Sequence, residues 1–258
     1  MGIFFEPFAA GRCCLCGSSD GLSGEHKVKA SALRAIFGSD AMAIGHFDGL
    51  SDHRIAQGPK SREFHFEAPL CKVCNSNRTQ PADREFDHFH QITSEALAAG
   101  RDPSTTFELE RYQIGSEPYL NVFRYLAKLM CCHLAESGGP RSIQIGQFAI
   151  GASDVNPIKL HIDCDPIYQD YAAATGEHQY AAHGGLVVTT NPQTELLDSF
   201  RTPLSLGPVR YLFFVEFGIG IALALKFFHR AFSDKCEAAY RVALASPITP
   251  EQRRRLGV

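Results

Sequence analysis

The chain has 258 residues, a length that fits one large domain or two small ones. Its 45% hydrophobic and 21% charged residues are ordinary for a globular protein and exclude a disordered chain. The formal net charge of −3 excludes a highly basic protein that coats nucleic acid, although a local basic strip would be enough to contact phosphates. Charge alone therefore indicates no nucleic-acid function, and the case depends on motifs.

The N-terminal residues 1–8 lack the basic stretch and long apolar core of a signal peptide. Nine cysteines without such a signal indicate a reducing compartment, where Cys-x-x-Cys pairs bind metal more often than they form disulfides. We therefore expect a cytoplasmic protein.

In the first half, the spacing of apolar residues predicts a helix over residues 28–37 that ends at Gly38. Residues 41–60 are rich in Gly, Asp and His and predict a loop. Residues 62–70 alternate like a strand, and residues 81–100 predict a second helix. Three histidines of this stretch are interpreted as ordinary loop or strand residues: His46, His53 and His65.

The most plausible domain boundary is residues 101–106, which gives a first domain over 1–100 and a second over 101–258. The second domain opens with a predicted amphipathic helix over 117–136. Arg124 and Lys128 lie one turn apart on its polar side, where a solvated face is favoured over contact with phosphate or an acidic partner. The predicted apolar face is formed by Leu120, Phe123, Leu126, Ala127, Met130 and Leu134.

Strand-like segments follow, and a helix over 231–245 precedes a basic tail at 253–255. The predicted strands cover residues 143–150, 158–163, 185–190 and 209–217. The apolar segment 212–228 contains Glu216 and is short for a membrane span, so it predicts a strand, a turn at Gly218–Gly220 and a second strand. Asp163 and Asp165 predict a turn near a strand end. The expected fold class is α+β throughout.

Two Cys-x-x-Cys pairs stand 55 residues apart, Cys13 with Cys16 and Cys71 with Cys74. Two such pairs supply four thiolates on tight turns, which suits a closed tetrahedral structural Zn²⁺ site. Simple buried cysteines are the alternative, and Cys14 competes with Cys13 for the first position. The remaining cysteines show no metal-binding spacing and are expected to pack as small apolar residues: Cys131, Cys132, Cys164 and Cys236.

Between and after these pairs stand the residues that would do chemistry. The order CCLCG, then GEHK with Glu25 and His26, then LCKVCNSNRTQPAD with Asn75 and Asp83 resembles the zinc-braced HNH endonucleases with a ββα-metal core. The resemblance covers residues 13–90, a little under a third of the chain, and its motifs occur in the family's order.

The resemblance implies a role for each matching residue. His26 would be the general base, Glu25 a ligand of a catalytic divalent cation such as Mg²⁺, and Asn75 the residue that orients the base and braces its loop. Arg78 would contact the scissile phosphate. The third position of the motif is an acid here rather than His, and Asp83 is the preferred second cation ligand. The alternatives for that ligand are Asp87, His88 and His90.

These residue types suit phosphodiester hydrolysis, because an imidazole can take a proton from water and a hard cation can neutralise the phosphate. We therefore expect a metal-dependent DNA endonuclease, of a restriction or phage-defence kind. One alternative is a non-catalytic zinc-braced module that binds nucleic acid or protein. Another is an effector nuclease held inactive until a protein or small-molecule ligand engages residues 101–258. A homodimer is compatible with the sequence, and no membrane partner is expected.

Overall fold

The structure is a computed structural model that describes residues 4–45, 54–191 and 193–245. His46, His53 and the basic tail at 253–255 lie outside these residues. Helices and strands are mixed along the described chain, which confirms the α+β class.

The described residues contain these α-helices: α1 (Ala30–Phe37), α2 (Gln80–Ala98), α3 (Glu117–Glu136), α4 (Ile143–Ala149), α5 (Pro166–Thr175), α6 (Ile219–Phe228) and α7 (Arg230–Ala245). The strands are β1 (Phe5–Glu6), β2 (Leu22–Ser23), β3 (Met42–Ile44), β4 (Arg54–Ala56), β5 (Leu70–Cys71), β6 (Arg141–Ser142), β7 (Lys159–Cys164), β8 (Ala181–His183), β9 (Val187–Thr190), β10 (Leu197–Leu206) and β11 (Val209–Glu216). Short 3-10 turns cover Arg62–Phe64, Pro103–Glu108 and Glu110–Tyr112, and a π-helical turn covers Cys74–Arg78.

The N-terminal half is built on two antiparallel segments followed by a helix. Strand β2 pairs with β5, and further along the same two segments His26 bridges His65. The chain then passes through the π-helical turn directly into α2. This order of strand, strand and helix places residues 24–26 beside the start of α2.

Two loop and strand predictions in this half need correction. Residues 41–60, expected as a loop, contain the paired strands β3 and β4. Residues 62–70, expected as a strand, begin with a 3-10 turn and form a ladder only at β5. The predicted alternation is nevertheless real, because every second residue faces the core: Phe64, Phe66, Ala68 and Leu70 are all buried.

Helix α3 lies at the centre of the molecule. Every residue from 120 to 134 is buried, because α2, α4 and the 3-10 turn at 110–112 pack around it. The prediction that Arg124 and Lys128 lie on a solvated face is therefore wrong. The buried guanidinium of Arg124 pairs with the exposed carboxylates of Glu117 and Asp154.

Five antiparallel strands form the main sheet, and its first three are β7, β11 and β10 in that order. Strands β8 and β9 lie one after the other along the free edge of β10. The long central strand β10 was not predicted, and it contains Pro203, a residue that normally argues against a central strand. Here β9 pairs residues 197–201 of β10 and β8 pairs residues 204–206. Pro203 lies in the gap between these two partners, where its missing N–H costs no ladder hydrogen bond.

The prediction of strands at 143–150 and in the second part of 212–228 is also wrong, because both segments are helices. Helix α4 begins at Ser142, whose hydroxyl accepts a hydrogen bond from the backbone N–H of Ile145. Helix α6 begins after Gly218. Along the part of the chain that the structure describes, no helix has both the length and the apolar character needed to cross a membrane.

The acidic pair Asp163 and Asp165 does not form the predicted turn, because Asp163 lies within β7 and Asp165 begins α5, and both carboxylates have structural contacts. Asp163 forms a two-pronged ion pair with Arg210, at 2.8 and 2.6 Å. Asp165 accepts a hydrogen bond from the N–H of Ile167 and so caps α5.

The buried apolar side chains of the described chain form one cluster that includes residues before and after 101–106. Phe86 of α2 stacks on Tyr125 of α3 at 4.0 Å and meets Tyr211 of β11 edge-on at 5.1 Å. The division into domains 1–100 and 101–258 stays a prediction, and any two domains share this core.

Candidate functional site

The four predicted thiolates come together. The Sγ atoms of Cys13, Cys16, Cys71 and Cys74 all lie within 4.8 Å of one another, and those of Cys16 and Cys71 are 3.6 Å apart. Sulfurs bound tetrahedrally to zinc at the usual bond length lie about 3.8 Å apart. The donor type, number and spacing therefore fit a structural Zn²⁺, and these four cysteines would hold it.

Backbone contacts of both knuckles explain why the pairs converge. Gly17 adopts a positive φ of 78° and donates to the carbonyl of Cys13, which closes the first turn. The N–H of Cys14 donates to the carbonyl of Pro69 and ties this turn to the approach to β5. At the second knuckle the N–H of Cys74 points at the sulfur of Cys71, at 3.4 Å.

Cys14 is excluded from the cluster, since its sulfur faces that of Cys132 on α3 at 3.8 Å. Helix α4 supports the first knuckle from the other side. Gly146 approaches the carbonyl of Leu15 so closely that a Cβ would collide with it. A hydrogen bond with Cys74 is the main cause that lowers the pKa of Cys13 to about 4, so Cys13 favours the thiolate form that binds metal.

The carboxylates of Glu25 and Asp83 contact the same ammonium group. Glu25 follows β2 and Asp83 lies in the first turn of α2, yet both contact the ammonium of Lys128. Its Nζ is 2.9 Å from Glu25 Oε1 and 2.5 Å from Asp83 Oδ1. Burial tends to lower the pKa of Lys128, but the two carboxylates raise it above its ordinary value, so the lysine is charged.

His26 lies beside this cluster and is half-buried. Its Nε2 atom is buried and forms no hydrogen bond with any described residue, and its ring lies 3.9 Å from that of His65. Burial, together with the positive charges of His65, Lys128 and Lys60, lowers the pKa of His26 to about 4. The imidazole is therefore neutral near pH 7 and can accept a proton.

Asn75 joins the second knuckle to the segment that carries the two candidate catalytic residues. Its side-chain amide donates to the carbonyl of Gly24 at 3.0 Å and to the hydroxyl of Ser23 at 3.2 Å. These bonds fix the backbone immediately before Glu25. Arg78 ends the π-helical turn and is exposed.

The alternatives to Asp83 point elsewhere. Asp87 is exposed and pairs with Lys29 at 2.6 Å. His88 is exposed on α2, and His90 forms a 2.9 Å hydrogen bond with Tyr211 of the sheet. Of the four candidates, only Asp83 shares a contact with Glu25.

The two carboxylates suit a hard divalent cation by their oxygen chemistry and their convergence. The ammonium of Lys128 already contacts one oxygen of each. Among described residues, no hydrogen bond reaches the other oxygens, Oε2 of Glu25 and Oδ2 of Asp83. Glu25 and Asp83 are the residues that would hold such a cation.

Sequence reasoning did not foresee the roles of Lys128 and His65. No local signal marked Lys128 as buried, because Asn121, Arg124 and Lys128 are spaced on one helical face that the sequence alone presents as polar. No local signal marked His65 either, since its contact with His26 depends on how two distant segments pair. No protein-family model, no curated protein and no solved structure matches this chain.

Proposed function

We propose that this chain is a zinc-braced, metal-dependent endonuclease of the HNH type that hydrolyses phosphodiester bonds in DNA. One observation carries the proposal: Glu25 and Asp83, which are far apart in sequence, meet beside a neutral His26. The strand–strand–helix order and the four-cysteine cluster support it. A surface turn or a solvated helix end would not bring these groups together.

Glu25 and Asp83 would hold Mg²⁺ or another hard divalent cation. When bound, such a cation neutralises the phosphate and stabilises the leaving oxygen. The two carboxylates come from elements that the zinc frame and α3 hold fixed, so the cation position would be set before substrate arrives.

His26 would act as the general base. A water oxygen attacks phosphorus, the water proton passes to the imidazole, the bond from phosphorus to the 3′ oxygen breaks, and that oxygen takes a proton from solvent. The unpartnered Nε2 atom supports this role, because no described residue occupies this nitrogen with a hydrogen bond. The lowered pKa of His26 keeps it neutral but makes it a weaker base than free imidazole.

Asn75 would keep the loop of Glu25 and His26 in place, as its bonds to Ser23 and Gly24 suggest. Arg78 is exposed and would reach a phosphate of the bound strand. Residues 101–258 would form the accessory domain that determines target or activation. Restriction or phage defence in the cytoplasm is the setting we propose.

A second candidate, an effector nuclease that depends on an activating protein or small molecule, is favoured by one observation. Lys128 belongs to α3, the central helix of the second half, yet it contacts both proposed cation ligands. A ligand that moved α3 would therefore change the site directly.

The test is incubation of supercoiled plasmid DNA with Mg²⁺, Mn²⁺ or EDTA, with an RNA substrate in parallel. We expect the wild-type chain to nick DNA with a divalent cation and not with EDTA. His26→Ala should lose about 100-fold or more of the rate, because removal of a general base costs that order of magnitude.

His88→Ala is the matched control, since His88 is exposed on α2 and outside the cluster. It should cut at the wild-type rate, and zinc content and circular dichroism should confirm that both variants fold. If the wild-type chain nicks under no cation, the enzyme proposal is wrong. If His26→Ala cuts normally, another group is the base.

A further inference from the structure

The buried ammonium of Lys128 lies deeper in the protein than the two carboxylates it contacts. Its side chain is 1% exposed, whereas those of Glu25 and Asp83 are 11% and 18% exposed. The lysine thus approaches the pair from the core side, and the carboxylates lie between it and solvent.

A lysine at this position needs a reason, because burial of a charge is costly and an apolar side chain would pack as well on a central helix. Its neighbours Ala127 and Leu129 are fully buried, and its Nζ lies 5.2 Å from the ring of Tyr125. The only anionic partners of the ammonium among described residues are Glu25 and Asp83. Lys128 is therefore explained by these two carboxylates rather than by general packing.

We propose that Lys128 is an internal counter-cation of the candidate site, which holds Glu25 and Asp83 together when no divalent cation is bound and competes with that cation for them. The inference deepens the proposed function and rests on it. With the ammonium present, the three groups carry a net charge of −1, whereas without it the two carboxylates carry −2.

Two consequences follow from this charge balance. A divalent cation should bind weakly to the wild-type chain and more tightly once the lysine charge is removed. Removal of the lysine should also leave two uncompensated buried carboxylates, so that the chain needs a cation for stability that it did not need before.

The experiment compares the wild-type chain with Lys128→Met, each loaded with zinc and freed of other divalent ions by a chelating resin. Mn²⁺ is the probe, because it prefers oxygen ligands and leaves thiolate-bound zinc in place. Binding is measured by titration calorimetry and electron paramagnetic resonance, and stability by the urea midpoint with and without Mn²⁺.

We expect Lys128→Met to bind Mn²⁺ at least about tenfold more tightly than the wild-type chain. Its urea midpoint should be lower than that of the wild-type chain without Mn²⁺ and should recover when Mn²⁺ is added. The wild-type midpoint should change little. Arg124→Met is the matched control, a buried basic residue one turn earlier on α3, and it should show neither tighter binding nor recovery.

A combined variant, Lys128→Met with Glu25→Gln and Asp83→Asn, removes the whole charge cluster with little change of shape. It should be more stable than Lys128→Met alone and insensitive to Mn²⁺, and this holds even if the single variant does not fold. If the combined variant is as unstable as the single one, Lys128 acts by packing and the inference is wrong.

Equal Mn²⁺ affinity of Lys128→Met and the wild-type chain would also overturn the inference. Failure of the proposed function is a separate result, because it would appear in the plasmid assay and not in these binding and stability measurements.

Discussion

At the scale of single residues, the candidate site depends on side chains that hold one another in place. Glu25 and Asp83 share the ammonium of Lys128, and His26 lies against His65. Asn75 follows the second knuckle directly, and its side-chain amide donates a hydrogen bond to the carbonyl of Gly24. The geometry of Glu25 and His26 should therefore be sensitive to Asn75.

Asn75→Ala tests this dependence. The variant loses the bonds to Ser23 and Gly24, so its free energy of unfolding should fall by about 1 to 2 kcal/mol. If the proposed activity is present, the nicking rate should fall by more than about tenfold, because the loop loses its brace. Urea unfolding and the plasmid assay measure the two effects.

Asn77→Ala is the control, because Asn77 is exposed in the same turn. It should change stability by less than about 0.5 kcal/mol. Equal stabilities of the two variants would show that the amide of Asn75 braces nothing.

At the scale of secondary-structure elements, the four-cysteine cluster joins parts of the chain that have little regular secondary structure. Strands β2 and β5 pair over only two residues each, and the first knuckle has no regular structure of its own. Short ladders of this kind are weak without added cross-links. We therefore expect bound zinc to provide much of the stability of the N-terminal half.

Cys71→Ala should lose zinc and unfold the N-terminal half. Elemental analysis of the wild-type chain should find about one zinc per chain, as a four-thiolate site requires. The urea midpoint of the variant should fall strongly, because zinc binding supplies folding free energy directly.

Cys164→Ala is the matched control, since Cys164 is half-buried on β7 and outside the cluster. It should retain zinc and the wild-type midpoint. Full zinc content in Cys71→Ala would contradict the four-cysteine site.

At the scale of the whole molecule, both halves pack around α3. His133 of this helix lies 4.8 Å from the ring of Phe66 in the N-terminal half and contacts the hydroxyl of Thr202 in the main sheet. Burial lowers the pKa of His133 to about 3 from an ordinary value of 6.5. Protonation of this histidine is thus coupled to unfolding of the shared core.

The direction of the pH effect follows from this lowered pKa. Above about pH 6.5 the histidine is neutral in both states, and its contribution to stability is complete. Below that pH, His133 binds a proton in the unfolded chain but stays neutral in the folded chain, so the free energy of unfolding falls as the pH approaches 3. Between pH 7 and pH 5 the loss due to one such histidine is about 2 kcal/mol.

The free energy of unfolding should fall from pH 7 to pH 5 in both the wild-type chain and His133→Gln. The fall should be smaller in His133→Gln by about 2 kcal/mol, because the variant lacks the buried histidine. Urea unfolding at the two pH values measures this difference, in which any pH-independent effect of the substitution cancels. His88→Gln, at an exposed position, should keep the wild-type slope. An unchanged slope in His133→Gln would show that the neutral, buried histidine does not contribute.

Local signals in the sequence were sufficient for several features of this protein. The spacing of cysteines predicted the cluster, and the helical spacing of apolar residues predicted α2 and α3 to within one or two residues. These features need only short-range information, because a helix repeats every 3.6 residues and a knuckle closes within four. The motif order also selected Glu25 and Asp83 as a pair.

Only the tertiary structure decided which polar groups are buried and what they contact. Lys128 was assigned to a solvated face, yet it lies in the core because its partners Glu25 and Asp83 stand 103 and 45 residues away in sequence. Asp83 differs from Asp87 only in which neighbour it faces, and β10 tolerates Pro203 only because two other strands leave a gap there. Such choices depend on contacts between distant segments, and no local pattern in the sequence contains them.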